Sequence, residues 1–358
     1  MREKTRSTIW AITCALLLLF GEAAAFFFAW RVGTWVAIAE LIAFVLGGVV
    51  APVLHELGHI VMAKSKNMQI VYAKFSFLKW TERNGKPRLA FASPFAMDET
   101  QAIPKSGGNM KKRAKAYTLG GLLFGGFYLL VVLLVALVFT FTIGSYAAFG
   151  VWGLLPFAGY LFLLNVLPLE YGSGKTDMLV YIGLKNGSPA EKTMLSAMEI
   201  QGELYDGKTY REIDEKWYFD LPQLAEDEPL FIVILDLRYR YYLDKGDYQK
   251  AGDCLNRLVQ TQEYFTEIET EKIAAELVYM HAINGDRERA ETCGKGCVEY
   301  LQQDTLTAKR ILTAVAYLDN KKEAVKSLKA QATALLQTEK IVGNRRFEES
   351  LLSRIPDA

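Results

Sequence analysis

The chain has 358 residues, 51% of them hydrophobic and 23% charged, with a mean hydropathy of +0.11, a length that suits two domains. Its net charge of +1 conceals a split: residues 1–186 carry 18 Lys and Arg against 9 Asp and Glu, and residues 187–358 carry 23 against 31. An apolar basic half joined to a polar acidic half excludes a single globular domain, a disulfide-stapled secreted scaffold and a disordered chain, and no nucleic-acid partner is expected.

Four apolar segments occupy about residues 9–30, 35–63, 117–143 and 147–167. Each approaches or exceeds the roughly 20 residues that a helix needs to cross a bilayer core. Trp10, Trp30, Trp35, Tyr117 and Tyr146 stand at their ends, as interfacial aromatics do. Arg2, Lys4 and Arg6 ahead of the first segment, with Ala23-Ala24-Ala25 inside it, resemble a signal peptide. The apolar run continues through Phe28, so the segment is expected to stay as an anchor. The loop from Lys64 to Lys115 holds 12 Lys and Arg against three acids, whereas the other connections are short and nearly uncharged. Positive charge marks cytoplasmic loops. The expected topology is therefore a multi-pass cell-membrane protein whose N-terminus, long loop and C-terminal half lie in the cytoplasm.

Inside that loop, Ile70–Trp80 and Pro87–Ser93 are rich in β-branched and aromatic residues and flank Arg83-Asn84-Gly85-Lys86. Asn-Gly between two such arms predicts a β-hairpin beside the membrane. Beyond residue 187 the composition becomes mixed, charged and helical. Gly246-Asp247-Tyr248, Gly285-Asp286-Arg287 and Asp319-Asn320-Lys321 open similar stretches at offsets of 39 and 34 residues. That period resembles tetratricopeptide-type repeats, and generic helical hairpins would produce it equally. The expected fold is mainly α: a membrane domain over residues 1–186 with one small β-hairpin, and an all-α soluble domain over 187–358. Cys14, Cys254, Cys293 and Cys297 read as free thiols of a reducing compartment, since two Cys four apart make an incomplete zinc site. Gly172-Ser173-Gly174-Lys175-Thr176 ends like a phosphate-binding loop but lacks its first glycine and a preceding strand.

Only three histidines occur, and two of them lie in His55-Glu56-Leu57-Gly58-His59. On a helix, positions i and i+4 share a face, so both imidazoles reach one metal ion and Glu56 beside them can poise a water. Ionisable residues inside an apolar span are costly and mark a function by default. His281, in the polar half, reads as an ordinary helix residue. Glu22 and Glu40 either line a polar path to the site, bond between helices or snorkel to the interface. A third ligand must come from another segment at similar depth, and Glu170 and Asp177, just after the fourth segment, are the carboxylates available there.

With His55-Glu56-x-x-His59 on one span and Asn165-x-x-Pro168 followed by Asp177 at the end of another, the chain resembles the site-2 protease family of zinc intramembrane metalloproteases over about residues 35–185. The resemblance implies that His55, His59 and Asp177 bind Zn2+, that Glu56 is the general base, and that Asn165 and Pro168 belong to a loop that contacts substrate. Eight residues separate Pro168 from Asp177, a longer spacing than the family pattern, and Met178 replaces its glycine. Glu170 therefore stays as a second candidate ligand. Gly120-Gly121-Leu122-Leu123-Phe124-Gly125-Gly126 is similar to the family's glycine-rich helix, and close helix packing explains it without a chemical role. The implied activity is zinc-assisted hydrolysis of peptide bonds in membrane-embedded proteins or peptides. The hairpin would hold an unwound substrate segment by strand addition, and the acidic domain would bind a protein partner. The alternative is a membrane-tethered helical scaffold with a vestigial metal site.

Overall fold

In the computed structural model, residues 2–83, 86–93, 98–142, 145–171, 174–226, 228–261 and 267–356 are described. The chain folds as two compact units, one comprising the residues up to Ile103 with Asn109–Glu191, the other Pro104–Gly108 with the residues from Lys192 onward. The expected boundary at 186/187 thus falls a few residues before the structural one.

The first unit begins with two long helices, α1 (Arg2–Val32) and α2 (Thr34–Ser65). A small sheet follows, made of β1 (Met68–Phe75), β2 (Leu78–Arg83), β3 (Lys86–Phe91) and β4 (Glu99–Pro104), in the order β3-β2-β1-β4. The expected hairpin is present as β2 and β3, with Arg83 opposite Lys86. Its Asn84-Gly85 turn lies outside the described residues. The arm read as one strand over Ile70–Trp80 is two strands, because the chain reverses after Phe75, which pairs with Leu78. Ser76 there has φ of 50°, and Asp98 stabilises the reversal by accepting hydrogen bonds from Ser76 N at 2.7 Å and Lys74 Nζ at 2.6 Å. Apolar alternation runs straight through this turn, so the pattern concealed it.

Helix α3 (Met110–Thr142) returns along α2. Their backbones touch at Gly58 and Gly120: a Cβ on either would overlap the other's carbonyl. Small residues permit this approach and leave the helices little freedom to slide. The fourth apolar segment is broken into α4 (Ser145–Trp152) and α5 (Leu155–Val166). Gly153 at the break lies against the Glu40 carbonyl, where a Cβ would clash, and Pro156 in the first turn of α5 has no N–H to continue the preceding helix. Four apolar stretches, Thr5–Val32, Thr34–Ser65, Met110–Thr142 and Ala148–Val166, are long and apolar enough to cross a membrane. Side chains such as Phe20, Trp35 and Phe141 point outward from them. After α5 come the two-residue strands β5 (Glu170–Tyr171) and β6 (Gly174–Lys175), then α6 (Asp177–Asn186).

Helix α7 (Pro189–Tyr205) carries the chain into the second unit. That unit continues with α8 (Lys216–Phe219), α9 (Pro229–Lys245), α10 (Tyr248–Gln260), α11 (Glu267–Ile283), α12 (Arg287–Gly294), α13 (Val298–Gln302), α14 (Leu306–Leu318), α15 (Lys322–Leu336) and α16 (Val342–Ser353). The three repeated stretches are the turns of three packed helix pairs, α9–α10, α11–α12 and α14–α15. Each turn holds one left-handed residue, Gly246, Gly285 or Asn320, with φ of 79°, 77° and 58°. Asp247 and Asp286 then cap the following helices by accepting from the amides of Lys250 and Arg289. Leu204, Tyr218, Tyr239, Leu255 and Tyr279 belong to the core of this unit.

Inside that core Arg310 donates to Glu276 at 2.8 Å and to Glu348 at 2.7 Å, lies over the Tyr279 ring, and is fully buried. Tyr239 OH donates to Glu276 at 2.7 Å. Burial pushes the Glu276 carboxyl up, but the charges of Arg310 and Arg240 outweigh it and hold Glu276 below the usual carboxylate range. For Glu348 burial prevails and its pKa is raised. The Pro104–Gly108 segment is fastened within the same unit: Gly107 N donates to Asp206 at 2.7 Å and Gly108 N to Glu199 at 2.6 Å.

Candidate metal centre

Helix α2 brings His55 and His59 to one face, one turn apart, and their Nε2 atoms lie 3.3 Å from each other. Asp177, the first residue of α6, places Oδ2 at 3.2 Å from His55 Nε2 and 3.3 Å from His59 Nε2. The three atoms form a nearly equilateral triangle, and this group could hold a metal ion. His55, Glu56 and His59 are buried.

The protonation pattern around the triangle follows from the neighbours. His59 Nδ1 lies 2.9 Å from the Tyr117 carbonyl. A carbonyl only accepts, so Nδ1 carries a proton and Nε2 is the nitrogen that faces Asp177. Burial pushes the Asp177 pKa up, but the facing imidazoles outweigh it and hold the group at about 2. It is therefore a carboxylate at neutral pH, the form a metal ligand requires. Asp177 Oδ2 is buried, with the two imidazole nitrogens as its polar neighbours. Two imidazole nitrogens and a carboxylate oxygen thus meet within 3.3 Å of one another, an arrangement that a cation at the centre would stabilise.

Asp177 reaches this position because the connection from α5 closes on itself. The Thr176 hydroxyl donates to Leu167 O at 2.6 Å and accepts from Leu169 N at 3.0 Å, while Thr176 N donates to Leu169 O. The intervening residues are taken up by the β5–β6 hairpin, with Glu170 opposite Lys175. The longer spacing after Pro168 therefore still delivers Asp177 to the histidines. Glu170 lies on β5, where its amide donates to Ser7, and it is not part of the triangle. Asn165 turns its amide back to Leu161 O on its own helix, and Pro168 sits in the short link before β5. Glu22 and Glu40 are neighbours between α1 and α2. Fifteen steps of continuous helix separate Glu40 from His55, about 22 Å along the axis, which leaves the pair remote from the triangle.

Two features of the site lacked any local signal. Gly121 faces both imidazoles, and a Cβ there would overlap His59 Nε2 and His55 Nε2, so the glycine keeps the centre open. Its neighbours in the glycine-rich stretch serve packing, which hid this role. Thr100 on β4 donates its hydroxyl to Glu56 Oε2 at 2.6 Å, and its carbonyl accepts from Tyr117 OH. Glu56, the sheet, α3 and His59 are thereby joined in one hydrogen-bonded chain. Comparisons with protein-family models, with curated proteins and with solved structures find no match to this chain.

Proposed function

We propose that the chain is an intramembrane zinc metalloprotease that hydrolyses peptide bonds of membrane-embedded proteins or peptides. The observation that carries this reading is the triangle of His55, His59 and Asp177 with Glu56 beside it. Zinc bonds of about 2.0–2.1 Å in a tetrahedron imply ligand-to-ligand edges of about 3.3–3.4 Å. The observed edges of 3.2 and 3.3 Å agree with that requirement. Three protein ligands leave a fourth position open, the hallmark of catalytic zinc as opposed to structural zinc.

His55, His59 and Asp177 would hold the ion, which when bound supplies a Lewis acid that acidifies water and polarises a carbonyl. Glu56 takes the proton from the attacking water and returns it to the leaving amine, the work of a general base that becomes a general acid. Two neutral imidazoles, the Asp177 and Glu56 carboxylates and a dication sum to zero, which limits the cost of burying the site. A helical substrate has its carbonyls engaged internally and must unwind before attack. Strands β3 and β4 are the edges of the sheet, and addition of an unwound segment to an edge would present its carbonyls one by one. In the proposed topology the positive Lys64–Lys115 loop, the site and the acidic second unit lie on the cytoplasmic side of the cell membrane. The second unit would bind a protein partner or the substrate's cytoplasmic tail.

The test is metal analysis of the purified full-length chain together with cleavage of candidate membrane substrates, comparing wild type with Glu56→Gln. One bound zinc and cleavage lost only in the variant are expected. A metal-free wild type, or equal cleavage by both proteins, would refute the assignment.

A further inference from the structure

The general base is held by a residue from outside the motif that bears it. Thr100 lies on β4, 44 residues along the chain from Glu56, and its hydroxyl is 2.6 Å from Oε2 in a buried pair. The strand is itself anchored, because Tyr117 OH donates to the Thr100 carbonyl. The backbone carbonyl of the same tyrosine fixes the His59 ring through Nδ1. One edge strand and one turn of α3 therefore set the orientation of both the base and a ligand.

We propose that Thr100 is the positioning residue for Glu56: it pins Oε2 and leaves Oε1 as the oxygen that exchanges protons at the metal centre. The proposal rests on the metallohydrolase reading above. The chemistry favours a hydroxyl at this position. While Glu56 is a carboxylate, Thr100 donates to it. Once Glu56 has taken a proton on Oε1, Oε2 is still an acceptor and the same hydroxyl goes on donating to it. The contact survives both protonation states, so the carboxyl need not reorient between its two proton transfers. Valine has the same shape and no hydroxyl to donate, whereas serine keeps one.

The test uses the full-length chain loaded with cobalt, whose visible absorption reports the ligand set, titrated with acetohydroxamate as the probe. A hydroxamic acid chelates a divalent metal after passing its proton to a neighbouring base, so its affinity reads a correctly placed Glu56 without any knowledge of the substrate. Thr100→Val is expected to bind acetohydroxamate about 10- to 100-fold more weakly, the range for losing a hydrogen bond to a charged group. Thr100→Ser is expected to bind like wild type, and all three proteins should take up cobalt equally. If Thr100→Val binds the probe as wild type does while Glu56→Gln is weakened, Thr100 does not position the base and the metallohydrolase reading stands. If Glu56→Gln also binds normally, or wild type takes up no cobalt, that reading fails and the proposal with it. Should Thr100→Val lose cobalt, Thr100→Ala replaces it. Loss of cobalt from both would make Thr100 a structural residue and overturn the proposal.

Discussion

Asp177 Oδ2 lies 3.3 Å from His59 Nε2, although the two residues belong to α6 and α2 and two sheets and three further helices intervene in the chain. That contact joins the chain just beyond the last apolar segment to the C-terminal part of the second.

On the proposed reading Asp177→Ala removes a ligand itself, so it should lower metal affinity by more than the roughly 10- to 100-fold typical of losing an outer-shell partner. Glu170→Ala should leave affinity within about twofold, since Glu170 stands apart from the triangle. Metal content after dialysis against a graded chelator separates the two variants. The reverse ranking would transfer the third-ligand role to Glu170.

Glu56→Gln preserves shape and all three ligands, so one metal per chain should remain. Cleavage should fall by at least about 100-fold, at the lower end of what general acid–base catalysis supplies. Simultaneous metal analysis and peptide cleavage check both halves. Turnover at the wild-type rate in a metal-loaded variant would remove Glu56 from the mechanism.

Gly121→Ala puts a methyl group where it would overlap both imidazoles, and the neighbouring α2–α3 crossing is already in backbone contact and has no slack. Metal binding should be lost while the protein remains inserted and helical. Gly126→Ala, whose Cβ would meet only the Phe162 ring edge at 3.0 Å, should retain metal because a side chain can shift. Circular dichroism paired with metal content distinguishes the cases. Full metal occupancy in Gly121→Ala would show that the helices adjust more than this crossing implies.

Arg310→Leu would leave Glu276 and Glu348 buried together without their shared cation. Breaking such a pair costs about 3–5 kcal/mol. Denaturant unfolding of the full-length chain, followed through the fluorescence of Trp217, which packs against the affected core, should register that loss. A change below about 1 kcal/mol would mean that the carboxyls take up protons or water at little cost.

A chain ending after Glu191 keeps every residue of the candidate centre, so its metal content should match that of the full-length protein. It loses Asp206 and Glu199, the acceptors for the Gly107 and Gly108 amides. Cleavage of a native substrate should therefore fall, and cleavage of a short generic membrane peptide should fall less. Absence of metal from a membrane-inserted truncation would place a ligand beyond Glu191.

What the amino-acid order determined by itself is the local part. Hydropathy over some 20 residues marks the apolar helices, because a bilayer-spanning helix has a minimum length. The four-residue spacing of His55 and His59 puts both on one face, because an α-helix turns every 3.6 residues. Asn84-Gly85 marks a hairpin, and Gly246 and Gly285 mark helix ends, because these residues tolerate left-handed backbone. The reversal at Ser76 escaped this reading, since its stabilising partner Asp98 is 22 residues away. Only the tertiary structure decided which carboxylate meets the histidines, since Asp177 arrives there through the Thr176 clamp and the β5–β6 hairpin. It alone decided that Gly121, among several similar glycines, faces the imidazoles, that Thr100 holds Glu56, and that Arg310 is enclosed by two glutamates. Each of these pairings joins residues far apart in the chain. Periodicity records which face of an element is apolar, but not which partner that face will meet.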